Sequence, residues 1–101
     1  MATINILFDS NGNPTPASFA IQPGDTVVFE AGSEDIVLCM DPETIFGSER
    51  IAIPAGTSVE TTVQPGASGA FSFTSIAGDI EAECGARGTT GGEGGGNVGG
   101  Q

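Results

Sequence analysis

The chain contains no histidine, lysine, tryptophan or tyrosine, and its only cations are Arg50 and Arg87. Each absence removes a class of chemistry. Phosphate backbones are held by Lys and Arg, so two arginines exclude nucleic acid as a partner. Sugars and bases stack on exposed Trp or Tyr; the six Phe lie mostly in apolar runs and read as core. Without His or Lys, a Ser, Thr or Cys nucleophile lacks its usual neighbouring base, and paired carboxylates have no aromatic platform to hold a sugar. No catalytic residue is assigned, and none of the residues calls for a cofactor. No apolar run approaches the roughly 20 residues of a membrane-spanning helix, so no membrane insertion is expected.

What is present is acidic and turn-rich. Thirteen Asp and Glu against two Arg give a formal charge of −11, and 17 of the 101 residues are Gly. No segment shows a convincing helical period, and apolar runs alternate with turn residues, which predicts an all-β domain. TINILF (3–8) ends in the loop DSNGNPTP (9–16). SFAI (18–21) leads through QPGD (22–25), a type II turn with Gly at its third position, into TVVFE (26–30). DIVLCM (35–40) is apolar at nearly every position, as in a strand covered on both sides or one whose outer face meets a partner. DPETIFGSER (41–50) reads as a loop with a short helical turn started at Asp41-Pro42. IAIPAG (51–56), TSVETTV (57–63), the turn QPGASG (64–69) and AFSFTSI (70–76) follow. In DIEAEC (79–84), Ile80, Ala82 and Cys84 alternate with Asp79, Glu81 and Glu83, which predicts a last strand.

After Cys84, glycine occupies 9 of 17 positions. Such a segment buries too little apolar surface to offset the entropy of ordering it. The expected organisation is therefore a β-sandwich domain over 1–84 in seven or eight strands, and a disordered Gly-rich tail or linker over 85–101. Gly94, Gly96 and Gly99 match G-x-G-x-x-G only because the segment is glycine, and no dinucleotide site is implied.

SFAIQPGDTVVFEAGSEDIVL (18–38) resembles the first half of a cupredoxin, the small copper-protein fold of plastocyanin, azurin and halocyanin. PAGTSVETTVQPGASGAFSFTS (54–75) resembles the second half, where an alternating strand, a Pro-Gly turn and a Phe-x-Phe strand run toward the copper loop. The resemblance implies a Greek-key sandwich and periplasmic or extracellular electron transfer through two His, one Cys and a weak axial Met. The ligand positions depart from that pattern. The first His falls near Glu34 and the Cys at Ser75; in a second register Cys84 takes the Cys position, Arg87 that of the second His and Gly92 that of the Met. The expectation is a cupredoxin-like, copper-free module with no cofactor, periplasmic or secreted as a mature domain.

Four groups of residues remain as candidates. Cys39 and Cys84 form either a disulfide, worth on the order of 3 to 4 kcal/mol in the chain-entropy model, or two buried thiols. A third reading uses Cys39, Met40 and Cys84 as soft Cu(I) ligands, which would make the chain a copper-binding electron-transfer or copper-handling protein. Glu30, Glu34, Asp35, Asp79, Glu81 and Glu83 make an acidic face that would meet a basic protein with strong salt dependence, or is simply solvated surface. Ile36, Val37 and Leu38 make an apolar strand that would dock on another chain or on a second copy, giving a homo-oligomer. DSNGNP (9–14) imitates the start of a calcium loop, but Pro14 stands where that loop needs Gly, and an ordinary turn is the better reading.

Overall fold

A computed structural model of the chain describes residues 2–41, 43–84 and 90–99. Nine strands occur among these residues: β1 (Thr3–Phe8), β2 (Pro14–Thr15), β3 (Ser18–Ile21), β4 (Thr26–Ala31), β5 (Ile36–Asp41), β6 (Arg50–Ile53), β7 (Ser58–Thr62), β8 (Gly69–Ala77) and β9 (Thr90–Val98). A single 3-10 turn, Glu43–Ile45, interrupts them where the short helical turn is expected. The chain is all-β. A four-stranded sheet in the order β2-β1-β4-β7 faces a five-stranded sheet in the order β3-β9-β8-β5-β6.

Both sheets are mixed. β1 runs parallel to β4, from Thr3 beside Thr26 to Phe8 beside Ala31. β3 runs parallel to β9, and the remaining pairs are antiparallel. The start of the β1–β4 pair is fixed by the QPGD turn. Asp25 N–H donates to the Gln22 carbonyl at 3.0 Å, and Gly24 takes φ 93°, the left-handed value that the type II turn demands at its third residue. Asp25 is only 7% exposed, and its carboxylate accepts the N–H groups of Ala2 and Gln22, both at 2.9 Å. Ala2 in turn accepts the N–H of Thr26 at 2.9 Å. One carboxylate thus closes the turn and seats the first strand.

Period-2 alternation fills the space between the sheets. Ile6, Phe8, Val27, Phe29, Ile36, Leu38, Met40, Phe71 and Phe73 all point into one core. Phe29 lies at its centre, with ring centroids 6.2 Å from Phe8, 5.9 Å from Phe46 and 6.1 Å from Phe73. All six phenylalanines take part in this cluster, the edge-strand ring of Phe19 packing on Phe71 at 5.4 Å. Burying each such ring is worth roughly 1.5–3 kcal/mol of transfer free energy.

Two expectations fail. Residues 90–98 are not a disordered tail: they form β9, an interior strand of the five-stranded sheet, paired to the edge strand β3 on one side and β8 on the other. The sandwich therefore extends past residue 84. Glycine is what this position admits. A Cβ at Gly94 would lie 2.9 Å from the Ala17 carbonyl oxygen, and one at Gly96 would lie 2.8 Å from the Phe19 carbonyl carbon. The tight slot between β3 and β8 sets the composition, which propensity alone reads as disorder. The part of the expected tail at 85–89 and 100–101 lies outside the described residues.

The second failure is DIEAEC (79–84), which is not a strand. Asp79 opens a turn instead: its carboxylate accepts the Glu81 N–H at 3.1 Å and its carbonyl the Ala82 N–H at 3.1 Å. The segment has no ladder partner. It lies as a strap across the outer face of the five-stranded sheet, and Ala82 packs there on Val37 and Ile76, with Cys39 and Ala52 beside them.

Candidate functional site

The strap is held at two points. Cys39 on β5 and Cys84 at the end of the strap form a disulfide, with Cα atoms 5.6 Å apart and a sequence separation of 45. The residue opposite Cys39 on β6 is Arg50, so both side chains leave the same outer face of the sheet. Arg50 donates from Nε to the Ala82 carbonyl at 2.9 Å and from a terminal nitrogen to the Ile80 carbonyl at 2.8 Å. Its planar fork suits two carbonyls on one segment, which a lysine could not reproduce. Arg50→Ala is expected to lower stability by about 1 kcal/mol, since charge-assisted bonds at an exposed site are partly screened. Arg50→Lys should recover less than half of that. Urea midpoints of the three proteins check it.

The disulfide and strap bear on two candidate sets. Ile36, Val37 and Leu38 are all 0% exposed. Ile36 and Leu38 lie in the inter-sheet core and Val37 lies beneath the strap, so this strand has no face left for docking; its partner is the chain itself. Cys39, Met40 and Cys84 do not converge as Cu(I) ligands either. The two sulfurs are bonded to each other, and Met40, next to Cys39 along a strand, points into the opposite core. Among the described residues, no group of three or more His, Cys, Asp or Glu is placed to hold a metal ion.

The residues that the cupredoxin resemblance would set at ligand positions do not fit copper. Ser75 is 3% exposed, and its hydroxyl donates to the Gly12 carbonyl and accepts the Gly92 N–H at 3.0 Å. From that buried position it joins the β1–β2 loop to β9. Glu34 is an exposed carboxylate beside Gly78, Cys84 is in the disulfide, Gly92 carries no donor, and Arg87 lies outside the described residues.

The acidic candidates are spread over the surface rather than set on one face. Glu30 stands on the outer face of the four-stranded sheet, opposite Ser58. Glu34 and Asp35 occupy the turn between β4 and β5, where the Asp35 carboxylate accepts the Ala55 N–H and its carbonyl the Gly78 N–H, both at 2.8 Å. That ties Asp79 to the same end of the sandwich. Glu81 and Glu83 ride on the strap, exposed as the alternation in the sequence requires. Asp41, Glu43 and Glu49 line a shallow concavity with Met40 and Thr44, a group that sequence reading missed because the β5–β6 connection folds back to bring its two ends together. The roles of Arg50 and Ser75 were missed as well, since their partners are 17 to 63 residues away in the chain.

Two carboxyls are held below the ordinary aspartate value of 3.8. For Asp25 the causes are the N–H groups of Ala2 and then Gln22; for Asp9 they are the N–H of Asn13, opposed by burial and aided by Asn11. Asp9 thus spends its oxygen on an Asx turn, as expected of an ordinary loop. A depressed folded-state pKa means that the stabilisation is complete above the unfolded value and is lost as pH falls through the folded one. The urea midpoint should therefore drop as pH is lowered from about 4, and Asp25→Asn should flatten that acid limb. An unchanged limb would assign it to other carboxylates.

The fold class is thus an all-β sandwich of two mixed sheets, stapled by one disulfide. Compared with protein-family models and with curated proteins, the chain matches none. Among the described residues, no helix is long and apolar enough to cross a membrane.

Proposed function

We propose that the chain is a non-catalytic protein-binding module, a cupredoxin-like Greek-key sandwich without a blue-copper centre, that works outside the reducing cytoplasm and engages a basic protein through its carboxylates. The observation that carries the reading is the surface. Leu7, 53% exposed, is the only exposed large apolar side chain among the described residues. Arg50 spends its guanidinium on two backbone carbonyls, so the carboxylates stand without it. A surface of this kind recruits by charge rather than by apolar burial.

The fold-level part is supported by how the two blocks that carry the resemblance fall on the elements. The first block becomes β3, the Pro-Gly-Asp turn, β4 and β5; the second becomes β7, the Pro-Gly turn and β8. The compartment is supported by the disulfide, which persists in oxidising surroundings. The non-catalytic part is supported by the absence of His and Lys and by the burial of the Ser75 hydroxyl between Gly12 and Gly92.

A fluorescent lysine octamer is the probe, titrated against the full chain at 20 and 200 mM salt. Binding should weaken about tenfold or more over that range. Glu30→Gln/Glu34→Gln, at the end of the sandwich shared with Asp35 and Asp79, should weaken it further than Glu43→Gln/Glu49→Gln at the other end. Salt-insensitive binding, or equal losses in both variants, would overturn the reading.

A further inference from the structure

We propose that the Cys39–Cys84 disulfide is the latch of a thiol-sensitive strap: its reduction lifts residues 79–84 off the five-stranded sheet and uncovers the apolar face of Val37, Ile76 and Ala52. Three observations carry this. The strap has no strand partner, so no ladder of backbone bonds holds it to the sheet beneath. Among the described residues, its attachments to the sheet are the disulfide, the two bonds from Arg50 and one small buried side chain, Ala82. What it covers is large by comparison: Val37 is 0% and Ile76 6% exposed beneath it, on a sheet whose own core lies on the opposite face and is untouched by the strap.

Both cysteines are half-buried, and Cys84 lines a shallow surface concavity with Glu49, Arg50 and Glu83, which gives a reductant its approach to the bond. A thiolate of a dithiol reductant attacks Cys84 Sγ, and the bond to Cys39 breaks with Cys39 leaving as a thiolate. The reductant's second thiolate then attacks its own sulfur in the mixed disulfide, releasing Cys84 as a thiolate and closing the reductant into a cyclic disulfide. Two electrons pass to the protein, and the two cysteine sulfurs take up protons from solvent. The sheet residues keep their pairing throughout, because Cys39 remains in register between Arg50 and Thr74.

The strap also carries Asp79, Glu81 and Glu83, so its release would alter the acidic surface. That consequence alone rests on the binding function proposed above, whereas the latch does not.

The test compares the full chain before and after a dithiol reductant, and the Cys39→Ser/Cys84→Ser variant without reductant. Hydrogen exchange of residues 79–84 should quicken at least tenfold in both, and a neutral solvatochromic dye should bind to the reduced chain and not to the oxidised one. Exchange over β1, β4 and β7 should stay slow. Arg50→Ala separates the two attachments: its strap should remain protected while oxidised and lose all protection when reduced. Unchanged exchange over 79–84 on reduction would overturn the latch, since Arg50 and Ala82 would then suffice. Simultaneous loss of protection over both sheets would overturn it too, making the bond a staple of the whole fold. Lysine-octamer binding is read separately, so a failed binding function leaves the exchange result standing.

Discussion

Gly96→Val is expected to destabilise the protein by roughly 3 kcal/mol or more, a large fraction of what holds a small domain together. Position 96 faces inward on β9, opposite Phe19 on one side and Phe71 on the other. A Cβ there lands against the Phe19 carbonyl, which is backbone and cannot rotate aside. The strand would have to leave β3, and β3 is tied to its sheet through β9 alone. The internal control is Asn97→Ala, one residue on and exposed, where a change within about 0.5 kcal/mol is expected. Urea unfolding of both variants decides the matter. A Gly96→Val protein with the parental midpoint would return residues 90–98 to the status of a solvated tail.

That contrast marks where the sequence was legible. Residues 3–8 and 18–21 become strands with the bounds their patterns predict, and the Phe-x-Phe alternation of 71–73 places both rings in the core, because local pattern and burial agree there. The 79–84 segment shows the limit of periodicity. Its alternation is real, with Ala82 buried and Asp79, Glu81 and Glu83 exposed, yet it arises from a strap lying flat on a sheet with no ladder partner. Alternation reports one covered face and says nothing about what covers it. β9 fails for the opposite reason. Its residues carry almost no pattern, and their reason for being glycine is a close approach between β3 and β8 that only the assembled sheet reveals. The site residues divide in the same way. The two cysteines were visible as a pair, but Arg50 is meaningful only once residues 80 and 82 lie over it, and Ser75 only once Gly12 and Gly92 meet there.

Val37→Asp is the second large effect, and its meaning turns on what covers that strand. Were Val37 a docking surface, an added carboxylate would leave the protein folded and abolish binding to a partner. Beneath the strap the outcome differs. The site is 0% exposed and walled by Ile76, Ala82, Ala52 and Cys39, with no hydrogen-bond donor among those side chains. A carboxylate there either ionises without a partner or stays protonated with its oxygens unsatisfied, and each course costs several kcal/mol. The expected loss is about 4 kcal/mol, enough to leave much of the chain unfolded, with the strap lifted before the sheets separate. Leu7→Thr provides the comparison, since Leu7 is 53% exposed on the outer face of the four-stranded sheet, beside Glu30, and an uncharged replacement there should stay within about 0.5 kcal/mol. Raising the pH should worsen Val37→Asp, because ionisation of the buried acid is then harder to avoid, and should leave the uncharged Leu7→Thr unchanged relative to the parent. A Val37→Asp chain that unfolds at the parental urea midpoint but no longer binds a partner would mean that the strap does not cover this face in solution, and would restore the strand as an interface.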